Sequence, residues 1–163
     1  MKTMFAGRYF SILKDADGTE FVRASDEVLV VALTEQGEVL LIKEPAPAFG
    51  APALVLPGGS VDDDEELSRT ANRELQEEVG FRAALLNYLG ELRPFSKYLT
   101  VRSHVYLARQ LTTSKLKGDE DYEIELSRVP LQSFETLIED GRLQDARVIA
   151  AIYLARAFLR RGA

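Results

Sequence analysis

Residues 58–81 read GGSVDDDEELSRTANRELQEEVGF, with eight acids against two arginines. Wound at about 100° per residue with Leu67 at zero, Ala71 falls at about 40° and Leu75 at about 80°, while Arg69 and Gln76 lie roughly opposite. Leu67, Ala71 and Leu75 therefore mark a buried stripe. Glu74 and Glu78 fall at about −20° and +20°, one turn apart, so both carboxylates project beside that stripe and not into bulk water. Like charges at i and i+4 repel, and partial burial worsens the repulsion unless a cation lies between them. The pattern asks for a metal. Asp62, Asp63 or Asp64 is expected as the helix N-cap and Gly80 as its C-terminal stop. An EF-hand loop does not fit DDDEEL, because its sixth position is Leu67 where a glycine is required.

Working outward, 163 residues allow one full hydrophobic core and are too few for two ordinary domains. A net charge of −6 and pI near 4.9 argue against an electrostatic grip on nucleic acid or an anionic membrane. No segment approaches the roughly 20 apolar residues of a membrane span, and MKTMFAGRYFSILKDADG has no signal-peptide core, so a cytoplasmic location is expected. With no cysteine there are no disulfides, thiolate nucleophiles or Cys-ligated metals, and one histidine, His104, excludes multi-histidine sites. His104 reads as the filler of a strand position. The chemistry left to the chain uses carboxylates, hydroxyls, basic groups or oxygen-bound hard cations.

GRYFSIL and EFVRAS, separated by KDADGT, read as an N-terminal antiparallel pair. EVLVVALTEQGEVLLIKE reads as a hairpin around EQGE. PAPAFGAPA is a loop, and LVLPGG a short strand entering the helix. ALLNYLGEL and RSHVYLARQL are further strands, joined by the RPFSKYLT loop. SKLKGDEDYEIELSRV is an acidic loop leading to a strand, and LQSFETLIEDG a short helix. The closing DARVIAAIYLARAFLRR places Val148, Ile152, Ala155 and Leu159 on one helical face. This order predicts a mixed sheet covered by helices on both sides.

As spacing, the opening stretch is Gly59, five residues, Glu65, seven residues, Arg73-Glu74-Leu75, one residue, Glu77-Glu78, one residue, Gly80-Phe81. This resembles the Nudix box, the signature of hydrolases that cut a nucleoside diphosphate linked to another moiety. At ordinary residue frequencies the nine defined positions would agree by chance on the order of once in a billion windows. The resemblance implies an α+β fold, an α/β/α sandwich with a mixed sheet between helices and an N-terminal antiparallel strand extension. It implies one domain over 1–163, with residues 1–27 as a dimerisation element and 28–163 as the catalytic core. It also implies Mg²⁺ or Mn²⁺ held by Glu74, Glu78 and the Gly58 carbonyl, with Glu77 supporting or joining them. Gly59, Glu65, Arg73 and Gly80 match positions with structural roles, the Glu65–Arg73 ion pair bracing loop against helix.

Outside the box, the N-terminal strands, KGDEDYE and the last helix resemble the ADP-ribose and nucleotide-sugar pyrophosphatase branch, which implies a nucleoside diphosphate substrate and a homodimer. Two departures bear on substrate choice: Val55-Leu56-Pro57 replaces the usual Glu-Leu-Pro, and EPAPAF stands where an arginine is often found. Family position implies a general base in GDEDYE, Glu120 first and Glu123 second. Arg93 and Tyr98 are candidates to grip phosphate or stack on a base or sugar, against the alternative of an ordinary exposed loop. The competing functions are a pyrophosphohydrolase of nucleoside triphosphates or capped RNA, and a non-catalytic nucleotide-binding module.

Overall fold

The computed structural model describes residues 1–62, 64–118, 122 and 124–162. Its centre is β4 (Glu27–Ala32), where residues 28–32 are all buried. A run of consecutive apolar residues, unlike an alternating one, requires cover on both faces. β4 pairs antiparallel with β7 (Gly58–Ser60) and parallel with β9 (Ser103–Thr113), and β9 pairs antiparallel with β8 (Phe81–Leu92). This mixed sheet, in the order β7-β4-β9-β8, carries α1 (Leu67–Glu78) and α3 (Ala146–Arg160), both packed on β4. Asp145 caps α3, its carboxylate accepting from the backbone N–H groups of Arg147 and Val148. Val148, Ile152 and Ala155 are buried, and Leu159 is half-buried against the core.

A second, antiparallel sheet sets β5 (Glu38–Glu44) between β6 (Ala53–Val55) and β10 (Glu125–Pro130). The expected β4–β5 hairpin is therefore only a turn. Thr34 N donates to Glu38 O at 2.9 Å and Gly37 takes φ +76°, but pairing stops at one bridge, Leu33 with Val39. Residues 39–42 are fully buried like 28–32, so each strand takes two neighbours in its own sheet instead of one shared ladder.

Two other expectations change. α1 has Glu66 at its N-cap position with no side-chain cap, not Asp62 or Asp64, and Asp63 lies outside the described residues. Asp64 instead adopts φ +65°, a conformation aspartate tolerates, and Asp62 O accepts from Glu65 N at 3.1 Å, so the acids turn the chain rather than cap the helix. At the N terminus, GRYFSIL is a turn followed by a strand: Gly7 N donates to Phe10 O at 2.9 Å and β2 (Ser11–Lys14) begins after it. β2 pairs with β3 (Glu20–Arg23) as expected and also with β1 (Lys2–Ala6), which the sequence hid because every residue of it is exposed and none marks a buried face. α2 (Glu135–Glu139) is the short helix before α3.

Candidate active site

At Gly58 a side chain would collide with the backbone of β4, and at Gly59 with the Glu74 carboxylate. A Cβ at Gly58 would stand 2.1 Å from Val28 O, and one at Gly59 would stand 2.4 Å from Glu74 Oε1. Gly58 N donates to Glu78 Oε2 at 2.8 Å. Helix α1 thus lies with two of its acids against the backbone of β7, and Glu74 and Glu78 are only 7% and 6% exposed. The helical wheel anticipated this placement. Burial of two carboxylates one turn apart is costly without compensating charge.

Part of that compensation is Arg73. It makes a two-point contact with Glu65, Nε to Oε1 and Nη2 to Oε2, both at 3.2 Å. Its Nη1 reaches Glu74 Oε1 at 2.9 Å and Glu77 Oε2 at 3.0 Å. The Glu65 hydrogen bonds, with further help from Glu74 and Glu77, push the Arg73 guanidinium above the ordinary arginine range. The reciprocal bond from Arg73 holds the Glu65 carboxyl below the usual glutamate value. Glu65 and Arg73 stand together, but Arg73 is shared among three acids, a wider role than bracing one loop. The sequence signal was present, since Arg73 and Glu77 are i and i+4.

Gly80, at φ +74°, directly follows the C-cap residue Val79 and leads the chain from α1 into β8. Among the described residues no three carboxylates converge as a ready-made metal cage. The donor set nevertheless fits a hard divalent cation: it is all oxygen, two carboxylates are already desolvated, and Gly59 leaves Glu74 room that a methyl group would fill. Glu120 and Glu123 lie outside the described residues. His104 occupies a buried position on β9, with Nδ1 3.1 Å from the Tyr88 hydroxyl and Nε2 3.7 Å from Asp26 Oδ2, a structural place in the strand.

Beside the box a cleft of roughly 500 Å³ opens between the N-terminal sheet and the body. Arg93 and Tyr98 do not line it. Arg93 is paired with Glu91 at 2.7 Å, and Tyr98 packs on Phe95 with ring centroids 5.2 Å apart. Their loop contributes Pro94, Leu99 and Val101 instead, and Tyr98 O accepts from Val22 N at 2.7 Å, tying the loop to β3. Facing these are Arg8, Tyr9 and Phe10, with Ser60 of the box and Arg147 at the base of α3. Arg147 is held by Glu27 at 2.6 Å and Asp145 at 2.7 Å. The expectation of a strand over GRYFSIL hides the first three, which the structure sets in the turn before β2 and at the cleft.

Residues 24–152 match the NUDIX domain family model. The chain is 32% identical over 135 residues to ADP compounds hydrolase NudE of Escherichia coli (strain K12), covering 83% of this chain and 72% of that one. It is 30% identical over 139 residues to the ADP-ribose pyrophosphatase of Bacillus subtilis (strain 168), covering 84% and 75%. A solved structure titled as that of an ADP compounds hydrolase superposes with a TM-score of 0.84 at 29% identity, over 99% of this chain and 92% of that one. With the box geometry, these likenesses identify the chain as a member of the Nudix hydrolase family.

Proposed function

We infer that this Nudix hydrolase cleaves the diphosphate linkage of ADP-ribose-type nucleoside diphosphate compounds, releasing a nucleoside monophosphate and a sugar phosphate. The observation that carries the reading is the pair Glu74 and Glu78, buried against the Gly58-Gly59 backbone in the family's metal-binding box. The names of the relatives, an ADP compounds hydrolase and an ADP-ribose pyrophosphatase, support the substrate class.

Nudix hydrolases work with divalent metal ions. In this chain Glu74, Glu78 and the Gly58 carbonyl, with Glu77 joining them, would hold the ion, Mg²⁺ or Mn²⁺. When bound, it neutralises diphosphate charge and polarises the scissile linkage. Arg73 keeps Glu74 and Glu77 aimed from one side, and Glu65 fixes Arg73. The cleft beside Ser60 has room for a nucleoside, with Tyr9 and Phe10 offering rings and Arg8 a cation. Glu120 takes the proton of the attacking water, with Glu123 second in line. Arg93 and Tyr98, exposed at the loop above the cleft, serve substrate at most from its rim.

The whole chain, 1–163, works as one domain, with 28–163 as its catalytic core. Residues 1–27 join two copies in a homodimer: β1 is an edge strand exposed along its length, with Met4 and Phe5 half-exposed on it. The chain acts in the cytoplasm on small molecules. Among the described residues no helix is long and apolar enough to cross a membrane, and the acidic surface disfavours nucleic acid. The test is a screen of nucleoside diphosphate sugars, nucleoside triphosphates and capped RNA, with products separated chromatographically and every reaction repeated in EDTA. EDTA-sensitive release of a nucleoside monophosphate from ADP-ribose is expected; turnover of triphosphates alone would overturn the substrate class.

A further inference from the structure

The last turn of α1 is held from outside the helix. A helix leaves its final carbonyls without intrahelical donors, and that end carries roughly half a negative charge. The exit of β9 supplies donors. Leu116 N donates to Gln76 O at 3.2 Å, Ser114 Oγ to Gln76 Oε1 at 3.0 Å, and Ser114 N to Gly80 O at 2.8 Å. Between them Lys115 Nζ donates to the carbonyl oxygen of Glu77 and, at 3.4 Å, to that of Glu78. Its stem passes over Gly80, where an added Cβ would meet Lys115 Cδ at 3.4 Å. A surface lysine is ordinarily solvated and unconstrained. This one sits on the backbone of two adjacent box glutamates, and its neighbours on each side bind the same turn.

We propose that Lys115 is a positioning residue for the metal-binding helix: its ammonium clasps the carbonyls that end α1 and so fixes where Glu77 and Glu78 present their carboxylates. The inference rests on the metal assignment of those glutamates. Gly58 N donates to the Glu78 carboxylate from the β7 side, and the last turn is where a helix frays first. The same three residues, 114–116, begin the stretch that runs on to Glu120 in sequence, so one clasp ties the metal-binding helix to the origin of the acidic segment.

The test compares Lys115→Met, which keeps the stem and removes the charge, with Lys115→Arg and with Glu78→Gln. Binding of Mn²⁺ alone is read by calorimetry without nucleotide, beside thermal unfolding without metal. Lys115→Met is expected to bind Mn²⁺ about threefold to tenfold more weakly, and Lys115→Arg to stay within about twofold of the parent. Lys115→Gln, which keeps a donor and loses the charge, is the second variant and should fall between them. A lowered metal-free Tm with unchanged Mn²⁺ affinity would make Lys115 a plain helix cap and overturn the proposal. Loss of Mn²⁺ binding in Glu78→Gln with parental binding in both neutral Lys115 variants would do the same while leaving the metal site standing. Unchanged Mn²⁺ binding in Glu78→Gln would remove the metal assignment itself.

Discussion

Gly59 and Glu74 are in complementary contact: the place where a Gly59 Cβ would stand is 2.4 Å from Glu74 Oε1 and 2.7 Å from Glu74 Cδ. The glycine is needed for the space beside a carboxylate. Gly59→Ala must displace the Glu74 carboxylate against its ion pair with Arg73, and overpacking of this kind costs about 1–3 kcal/mol, the low end applying where a side-chain end can shift. The expected outcome is a folded protein with a lower Tm and at least about a tenfold loss of kcat, since the displaced group is a proposed ligand. Parental kcat would show that Glu74 has freedom to move without consequence.

Glu78 separates structure from charge. Its Oε2 accepts from Gly58 N, and a glutamine in its place can still accept that bond while losing the negative charge. Glu78→Gln is expected to lower kcat by about a hundredfold or more with little change in Tm, because electrostatic stabilisation at the diphosphate depends on the charge. Near-normal turnover at saturating Mg²⁺ would remove Glu78 from the metal's ligands.

The Glu65–Arg73 pair gives a pH signature. Glu65 is held below its ordinary value of 4.5, chiefly by the hydrogen bond from Arg73, so its contribution to stability is fully present above that value and is lost as pH falls through the depressed folded one. Glu65→Gln should therefore lower Tm at neutral pH, and the gap between parent and variant should narrow in acid below pH 4.5. Truncation at the hub is expected to be worse. Arg73→Met leaves three partly buried acids without their shared cation and should cost about 2 kcal/mol, a fall of roughly 4–8 °C in Tm. Thermal melts across pH decide both; a gap that widens in acid would contradict the assignment.

What could be read without coordinates follows from how local each signal is. The placement of Glu74 and Glu78 depended only on helical periodicity, which is set within one element. Strands β4, β5, β8, β9 and β10 were legible for the same reason, but LVLPGG, expected as one short strand, is two, β6 and β7, which separate at Leu56-Pro57 into different sheets. The pairing of β4 with β9 was not legible, because it joins residues such as Val30 and Tyr106 that lie far apart in the chain. The strong turn at Gly37 promised a hairpin, but continuous burial of both strands outweighed it. Arg73's contact with Glu74 also escaped, since neighbours in a helix diverge by about 100° and meet only through a long side chain reaching around.

Self-association should be measurable directly. The exposed edge strand β1, with Phe5 50% and Met4 49% exposed, is the proposed contact with a second copy. Light scattering at micromolar concentration is expected to give twice the chain mass, and Phe5→Lys should shift it toward the single-chain mass by placing charges across the edge. A parent that scatters as a monomer would leave the N-terminal sheet as part of the cleft wall only.

The general base is the remaining chemical role, proposed for Glu120 in the acidic segment with Glu123 as the alternative. A base interacts with the water proton chiefly in the transition state, so its removal should lower kcat while leaving KM and metal affinity nearly unchanged. Glu120→Gln is expected to depress kcat by about a hundredfold or more and to remove the acidic limb of the pH–rate profile, with Mn²⁺ binding as in the parent. Glu123→Gln should do far less. Assayed side by side with metal titrations, equal mild effects would make the segment an acidic turn without a catalytic role. A larger kcat loss at Glu123 would move the base there, and a loss of Mn²⁺ affinity at Glu120 would make it a metal ligand instead.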